Sequence, residues 1–467
     1  MAFTDTVNEI GSLGGQSRNS FLGRLKEEFI PGWEDHVHTK VIISGLIAPK
    51  RGTMGGRRSL TSVMTAYPQS TGIALFEGDT LPTPSVGTYA NPSIMARNIY
   101  SRLRWTGNVE RAARKGDKVA WAGPRAEDLR TSRLQWELNF ARMLYLGPEQ
   151  RLAKIASVAN NVLTLYGRDT RTSAVADLAK FGTHYLRQNM SVSHSAATFT
   201  DVLPDTNAGD QSADDESYIS ALNASTPSIT ILRKNGEGGG VGDSNGFPTL
   251  GVADQWIIPW RSRLDTVGSD DADYDSNFAG VNGLMNLCVN STIKAYVYGL
   301  ARSSYPTLSA QMVNNSGTVR PFNEDYISLG VDQIYDNGTG DEPDTILCHR
   351  SVRREFVKEV KGDRRFAEVQ SKRGFGPKLQ FISGDVPLPI VTDRDCMPGV
   401  MWVLESEGFG WFSESEMQMV DDGERFVANQ DAHEIVMHKS GNLATKKPHN
   451  NAMIDDIQYS TSGLTDL

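Results

Sequence analysis

The stretch PRAEDLRTSRLQWELNFARMLYLG, residues 124–147, decides the fold because it is the strongest helical signal in the chain. It begins with a proline, carries an acidic pair in its first turns, and ends in Gly147 followed by Pro148. Proline and acidic residues favour a helix start, and glycine followed by proline favours a helix end. We therefore predict a helix over about 124–146, roughly 35 Å long at about 1.5 Å per residue.

Two apolar stripes run along this predicted helix. The first lies on one face at helical spacing: Leu129, Trp136, Phe140 and Leu144. The second is offset from it: Leu134, Leu138, Ala141 and Tyr145. Two stripes on one helix indicate that other elements bury it from more than one side.

The sequence before the helix has the character of an arm followed by a hairpin. Residues 1–60 mix short apolar runs with Gly and Arg clusters, which predicts an extended arm that becomes ordered only on another surface. A merely mobile tail is the alternative. Residues 67–101 carry short strand-like pieces separated by Gly and Pro, which predicts a long two-stranded hairpin. An isolated hairpin is marginally stable, so it needs a partner surface. We assign residues 61–118 to the hairpin and its base.

The sequence after the helix predicts two further parts. Alternating apolar and polar runs up to about residue 280 indicate a β-rich unit, and 119–280 is assigned to it together with the helix. Its Asp- and Gly-rich region, about 205–248, is predicted to be an inserted loop region. Residues 281–413 alternate strand-like and helical pieces, which predicts a compact α+β domain. Residues 414–467 are assigned to a strand, an Asp-Gly turn, a strand that returns to the β-rich unit, and a tail.

Composition restricts the class of protein. The 467 residues include 39% hydrophobic and 22% charged residues, which is typical of a folded chain. A formal charge of −9 disfavours a protein whose main task is to bind nucleic acid, although it suits a container for DNA. Three scattered cysteines indicate neither a disulfide framework nor a zinc site, so we expect synthesis in a reducing cytoplasm. The sequence shows no export signal and no membrane span.

The sequence offers no convincing chemistry. The pair His36 and His38 lacks a third metal ligand nearby, and the stretch from Asp271 departs from a calcium loop at Ser276 and Asn282. The Gly-rich stretch near residue 236 has no following Lys-Ser or Lys-Thr to hold a phosphate. We therefore predict no catalytic, cofactor-binding or metal-binding residue, and no enzyme.

Charge is segregated along the chain. Seven basic residues lie between Arg97 and Lys118, against two acidic ones, whereas Asp201 to Glu216 contains six acidic residues and no basic one. Such segregation suits contacts between copies of one chain. An equally good interpretation is that the two segments lie on unrelated solvent-exposed faces. A third is that the basic segment contacts DNA. The candidate intersubunit basic segment comprises Arg102, Arg104, Arg111, Arg114 and Lys115.

The order of parts resembles the major capsid proteins of tailed bacteriophages, which have the Hong Kong ninety-seven-like fold. Several phrases carry the likeness: IYSRLRWTGNVERAARKGDKVAW at 99–121, ARMLYLGPEQRLAKIA at 141–156, DTILCHRSVRREF at 344–356 and PLPIVTDRDCMPGVMWVLE at 387–405. The resemblance covers about residues 60–455.

It implies an α+β fold with an N-terminal arm, an extended hairpin loop, a long spine helix, a peripheral domain and an axial domain at 281–413.

The resemblance also implies a function. Hexamers and pentamers of the chain would form an icosahedral shell around packaged double-stranded DNA, in a virion assembled in the host bacterial cytoplasm. The hairpin would lie on a neighbouring subunit through Phe76, Glu77, Asp79, Leu81 and Tyr89. Implied partners are a separate scaffolding protein, a portal and a decoration or cement protein, with no membrane. No cofactor is implied.

One family member crosslinks its subunits through a lysine in this hairpin, but residues 68–96 here contain none, so we predict a noncovalent shell. Two alternatives stay open: an encapsulin-type nanocompartment, or a soluble β-rich binding protein or hydrolase.

Overall fold

The computed structural model describes most of the chain. The described residues are 42–47, 51–54, 58–60, 62–66, 68, 70–71, 83–106, 118–159, 162–166, 182–195, 217–223, 227–233, 256–259, 280–338, 342–360, 380–383, 386–413, 420–426 and 431–458.

Five α-helices lie in these residues: α1 (Ile43–Ile47), α2 (Lys118–Tyr145), α3 (Leu284–Leu287), α4 (Asp325–Asn337) and α5 (Arg350–Val360). The strands before α2 are β1 (Arg51–Thr53), β2 (Arg58–Leu60), β3 (Val63–Ala66), β4 (Thr88–Ala90), β5 (Ser93–Met95) and β6 (Arg97–Thr106). The strands between α2 and α3 are β7 (Ala153–Ala159), β8 (Val162–Leu165), β9 (Ser191–Ser195), β10 (Ser217–Asn223), β11 (Ser228–Arg233) and β12 (Trp256–Pro259). The strands after α3 are β13 (Tyr296–Val297), β14 (Leu300–Ala301), β15 (Gln311–Val313), β16 (Thr345–Cys348), β17 (Gln380–Ser383), β18 (Val386–Thr392), β19 (Met401–Leu404), β20 (Phe409–Ser413), β21 (Val420–Phe426), β22 (Ala432–Thr445) and β23 (Ala452–Ile454).

A five-stranded sheet carries helix α2. Its central strand β22 pairs with β6 along one side and with β20 and β21 along the other, and β1 adds to β20 in parallel. Because side chains alternate across a strand, Ile435 and Met437 point to the buried face of β22. On that face Ser101 of β6 lies 3.4 Å from Ser132 of α2, between the two hydroxyl oxygens. The helix therefore packs on the inner face of this sheet.

A closed barrel of six strands follows α2. Its strand order is β10, β11, β8, β7, β12 and β9. The interior is filled by aliphatic side chains that are at most 2% exposed: Ile155, Leu163, Leu165, Val192, Ile219, Ile229, Ile231 and Ile257. The alternation of apolar and polar residues in this part of the sequence is typical of such strands.

A six-stranded mixed sheet forms the core of the third part, in the order β15, β23, β19, β16, β18 and β17. Both of its faces are buried, so β19 reads as an unbroken apolar run. Met401 and Val403 belong to the cluster under helices α4 and α5, whereas Trp402 and Leu404 belong to the main core shared with α2. This part of the chain therefore combines a mixed sheet with two helices on one of its faces.

The N-terminal prediction needs a correction. The described part of residues 1–60 does not require a neighbouring subunit, because it packs on its own chain. Ile43 and Ile47 lie one helical turn apart in α1 and are both 0% exposed, and β1 pairs with β20. The apolar run that the sequence shows here therefore belongs to the core. Residues 1–41 lie outside the described residues.

Two local predictions also differ from the structure. Helix α2 begins at Lys118, so Pro124 lies inside the helix, where it lacks the N–H for the bond to the carbonyl of Ala120. The predicted Asp-Gly turn is wrong. Asp422 and Gly423 lie inside strand β21, where the register against β22 shifts between Asp421 and Glu424. The extra residue forms a bulge there and not a reversal of the chain.

The domain boundaries run differently from the predicted ones. The range 205–248 includes β10 and β11, which are two strands of the barrel, so the part of it that the structure describes is not a loop. Strand β20, assigned to 281–413, pairs with the returning strand β22 in the five-stranded sheet. Strand β23, assigned to 414–467, instead lies between β15 and β19 in the six-stranded sheet. The sheet that each strand joins is decided by pairing with strands far away in the sequence. Local sequence patterns do not encode that pairing.

Candidate subunit interface

The hairpin is paired at its base and exposes apolar side chains further out. Strand β2 pairs with β5 and β3 pairs with β4, both antiparallel. The base is anchored in the core, since the Ser93 amide donates to the Tyr298 carbonyl (2.9 Å) and the Asn442 side chain donates to the Met95 carbonyl (2.9 Å).

On these paired strands and just before β4, large apolar side chains of the hairpin lie in solvent. Their exposed fractions are 68% for Leu60, 40% for Met64, 90% for Val86 and 60% for Tyr89. Scattered exposed apolar residues are ordinary, but four on one thin excursion form a surface that a partner can cover. Of the five hairpin residues predicted to contact a neighbouring subunit, the structure describes Tyr89. Phe76, Glu77, Asp79 and Leu81 lie outside the described residues.

The predicted face of helix α2 is directed into the chain's own core. Trp136, Phe140 and Leu144 are 8%, 4% and 0% exposed, and Leu129 is half-buried. Trp136 stacks on Phe140 with a centroid distance of 5.1 Å and an interplanar angle of 8°, and Phe140 meets Trp411 of β20 edge-on at 5.1 Å and 77°. These rings fix the helix to the sheet.

A lysine lies against the same three rings. The Nζ of Lys439, on the inner face of β22, lies 4.2 Å from the centroid of Phe140, 4.8 Å from Trp411 and 5.6 Å from Trp136. Lys439 is 8% exposed, and burial lowers the pKa of its ammonium to about 8. The negative faces of aromatic rings attract a cation, which offsets part of its desolvation. We call Lys439 and these three residues the aromatic cage.

The outer face of the same sheet is basic. Arg102 and Arg104 of the predicted basic segment are exposed on β6, and Arg104 lies directly opposite Glu434 of β22. The Nε of Arg102 donates to Glu434 Oε2 (2.7 Å), and Arg425 Nε lies 3.9 Å from Glu434 Oε1. Two arginines thus lie against one carboxylate with a third on the strand opposite it, and we call these four residues the arginine face. Arg111, Arg114 and Lys115 lie outside the described residues.

A buried carboxylate joins helix α1, helix α2 and the six-stranded sheet. Asp393, just after β18, accepts hydrogen bonds from the Tyr145 hydroxyl (2.9 Å) and the Ile43 amide (3.3 Å) through Oδ2. Its Oδ1 accepts from the amide of Asp395 (3.2 Å), whose carboxylate lies 3.3 Å from Arg187. Burial, together with Cys396 and Asp393, raises the pKa of Tyr145 well above its ordinary value, so this phenol remains a hydrogen-bond donor.

A buried ion pair joins the end of α2 to the segment after α3. Glu149 is 4% exposed and pairs with Lys294 and Arg151. Burial alone would raise the pKa of Glu149, but these two cations outweigh burial and lower it. Burial lowers the pKa of Lys294 to about 8, and Glu149 opposes that shift. Such a pair fixes geometry more than it adds stability.

The described residues contain no group of three or more His, Cys, Asp or Glu side chains placed to hold a metal ion. The three cysteines, Cys288, Cys348 and Cys396, are free and buried, and burial raises the pKa of each thiol. Their thiols are therefore poor nucleophiles. Among the described helices, none is long and apolar enough to cross a membrane.

Sequence reasoning missed Lys439, Glu434 and Arg425. Glu434 lies 332 residues from Arg102, and Lys439 lies 299 residues from Phe140, so no local pattern joins these pairs. Arg425 reaches Glu434 only because β21 pairs with β22. One signal was available for Lys439: in AHEIVMHKS it occupies an inward position of the alternating strand. A charged residue at an inward position indicates a specific partner.

Comparison with solved structures shows which known proteins share this fold. No protein-family model matches the sequence, and no curated protein matches it. The capsid asymmetric unit of cyanophage A-1(L) matches with a TM-score of 0.50 at 10% identity, covering 92% of this chain and 96% of that one. The capsid structure of cyanophage P-SCSP1u matches at 0.41 and 7% identity, covering 93% of each chain. The SrpI encapsulin complex of Synechococcus elongatus PCC 7942 matches at 0.23 and 13% identity over 32% of this chain and 55% of that one. The fold assignment rests on the first of these, whose likeness runs through nearly the whole of both chains: this chain has the fold of a phage capsid subunit.

Proposed function

We propose that the chain is the major capsid protein of a tailed double-stranded DNA bacteriophage, a structural protein and not an enzyme. The observation that carries the proposal is the likeness to the cyanophage A-1(L) capsid asymmetric unit, which covers 92% of this chain and 96% of that one. The chain therefore corresponds to a capsid subunit as a whole, and not to one shared module. Copies would assemble as hexamers and pentamers into an icosahedral shell.

The exposed hairpin supports self-association. Leu60, Val86 and Tyr89 present apolar surface that this chain leaves in solvent, while β5 is held in the core. A neighbouring subunit would cover these side chains and supply the partner that a thin two-stranded element needs. Phe76, Glu77, Asp79 and Leu81, which lie outside the described residues, are proposed to extend the same contact.

The arginine face is proposed as a second contact between copies. Three arginines around Glu434 leave the outer face of the five-stranded sheet with an excess of positive charge. The chain as a whole carries a formal charge of −9, so acidic surface on another copy can match this face. Arg111, Arg114 and Lys115 are proposed to contribute.

Assembly would involve further partners. We propose a separate scaffolding protein, a portal and a decoration or cement protein as these partners. The shell would enclose packaged DNA in the virion after assembly in the host bacterial cytoplasm.

The decisive experiment measures particle size and content. We expect the full-length chain, expressed with its scaffolding protein, to form particles in the megadalton range by light scattering, visible as regular shells by electron microscopy. Particles from infected cells should contain double-stranded DNA. Shells that contain a cargo enzyme and no DNA would indicate an encapsulin-type compartment. A chain that stays a monomer or dimer with its scaffold present would refute the proposal.

The lysine-free hairpin gives a separate test of how the shell is held together. Because residues 68–96 contain no lysine, we expect boiled mature particles to run on SDS gels as single chains. A ladder of covalently linked subunits would contradict a noncovalent shell.

A further inference from the structure

Helices α4 and α5 cover the same face of the six-stranded sheet. Helix α4 packs on β15, β23 and β19, toward one edge, and α5 packs on β18, toward the other. Phe322, just before α4, meets Phe356 of α5 edge-on with a centroid distance of 5.6 Å. The two helices are therefore fixed side by side, with their outer faces available to solvent.

The outer face of α4 is acidic. Ile327, Gly330 and Ile334 point to the core, and the opposite side of the helix carries the exposed residues Asp325, Asp332 and Asp336, which we call the acidic stripe. The helix contains no basic residue. Asp332 and Asp336 do not stabilise helix α4 itself. They are like charges one turn apart, and Asp336 lies at the negative end of the helix dipole, so both arrangements are unfavourable for the helix.

Apolar side chains accompany the acidic stripe. Leu329 lies between Asp325 and Asp332 on the same side and is 46% exposed, and the adjacent Tyr335 is 67% exposed. A helix face that combines exposed apolar and charged residues has the composition of a protein contact and not of a solvated surface.

The outer face of α5 is basic. Ser351, Val352 and Phe356 are buried, and the opposite side carries Arg350, Arg354 and Lys358, at intervals of four residues, which we call the basic stripe. Lys358 also contacts Glu355 of its own helix at 2.7 Å, but its side chain remains 58% exposed. The basic stripe spans roughly 12 Å and the acidic stripe roughly 16 Å along their helix axes. Asp332 and Asp336 have the same four-residue spacing as neighbouring members of the basic stripe, and Asp325 lies about 10 Å further along.

We propose that the acidic stripe of one copy docks against the basic stripe of the next copy around the axis of a capsomer. The two stripes lie on different helices of one chain, so a contact between them can repeat by rotation from copy to copy and close a ring. A two-fold contact in which each copy uses both stripes would stop at a dimer, and crosslinked dimers without longer ladders would overturn the proposal. Leu329 and Tyr335 would be buried by the same contact. This inference rests on the proposed function and names the surfaces that join subunits within a ring.

Charge reversal and swapping test the docking. One variant replaces Asp325, Asp332 and Asp336 with lysine, a second replaces Arg350, Arg354 and Lys358 with glutamate, and a third combines both sets. Each full-length chain is expressed with its scaffolding protein and analysed by sedimentation velocity. We expect each single-stripe variant to form rings and shells at least tenfold less well, and the combined swap to recover assembly. A matched control, Glu342→Lys with Lys446→Glu, reverses exposed charges outside the stripes and should assemble normally.

Crosslinking gives a readout that does not depend on assembly yield. The pair Asp332→Cys with Arg354→Cys should form disulfides between chains on oxidation of assembled particles, in ladders that end at five or six subunits. Either cysteine alone should not form such ladders, because the native cysteines are buried.

The outcomes separate the two proposals. Absence of shells from the wild-type chain with its scaffold would refute the proposed function. Wild-type shells together with normally assembling single-stripe variants would overturn the docking alone, as would a folded combined swap that fails to recover. If the basic-stripe variant assembles normally but loses affinity for double-stranded DNA, the basic stripe contacts DNA and the proposal is wrong.

Discussion

Phe140→Ala tests whether helix α2 is fixed to the sheet through its aromatic face. Phe140 is 4% exposed, stacks on Trp136, meets Trp411 edge-on and lies 4.2 Å below the Lys439 ammonium. Truncation of a buried phenylalanine costs about 3–5 kcal/mol. Each aromatic pair adds about 0.5–1.5 kcal/mol beyond burial, so we expect a loss toward the upper end, about 5 kcal/mol. Phe140→Leu retains most of the apolar volume and loses the ring contacts, so about 2 kcal/mol is expected.

Urea unfolding of the unassembled subunit, followed by tryptophan fluorescence, measures these losses. Trp136 and Trp411 both contact Phe140, so their emission reports on the site itself. Phe426→Ala is the matched control, because Phe426 is 72% exposed and its removal should cost about 1 kcal/mol or less. Equal losses for Phe140→Ala and Phe426→Ala would refute the reasoning, since the burial of the α2 face would then contribute nothing.

Three further substitutions have definite expected outcomes. Gly441→Ala should cost at least about 3 kcal/mol by thermal unfolding, because Gly441 has φ +135° and an added Cβ would lie 2.4 Å from Trp411 Nε1. The control Gly45→Ala, where a Cβ meets nothing within 4 Å in helix α1, should be neutral or slightly stabilising. Lys439→Met tests the aromatic cage: the folded-state pKa is about 8 and the ordinary value 10.5, so the unfolded chain binds more protons between these values and wild-type stability should rise with pH across that window. The Met variant should lack this rise in urea titrations at pH 7 and 9.5, and a parallel rise in both proteins would contradict the assignment. Tyr145→Phe should cost about 1.5–3 kcal/mol, because it removes a hydrogen bond to the buried Asp393 carboxylate, and an unchanged urea midpoint would show that the bond is not formed.

Local patterns in the sequence predicted the elements well. Helical spacing placed Trp136, Phe140 and Leu144 on one face, which is buried, and strand-like runs predicted strands in the middle of the chain and near Ile346 and Val403. That the strands of the middle part close into a barrel was not predicted. These signals work because each element buries one side in a core, and burial sets the period of apolar residues. The end of α2 was also close to its predicted position, since Gly147 and Pro148 disfavour continuation of a helix.

Long-range pairing could not be predicted in the same way. An Asp-Gly pair is typical of a tight turn, but Gly423 lies in a bulge because β21 continues along β22 for several more residues. The apolar residues Ile43 and Ile47 indicated burial without showing which core receives them, and their site depends on Asp393, about 350 residues away. The sheet that a strand joins depends on partner strands that lie far from it in the sequence.

The polar contacts of α2 link the hairpin to the rest of the chain. Strand β6 continues from the hairpin and pairs with β22 for ten residues, and β22 carries Lys439 against the aromatic face of α2. The end of α2 then meets Asp393 of the six-stranded sheet through Tyr145. The hairpin base is therefore joined to the six-stranded sheet through paired strands and one packed helix. Because the proposed contacts at the hairpin and at the α4 and α5 stripes lie on this continuously packed body, we expect a substitution in the aromatic cage to weaken assembly through both.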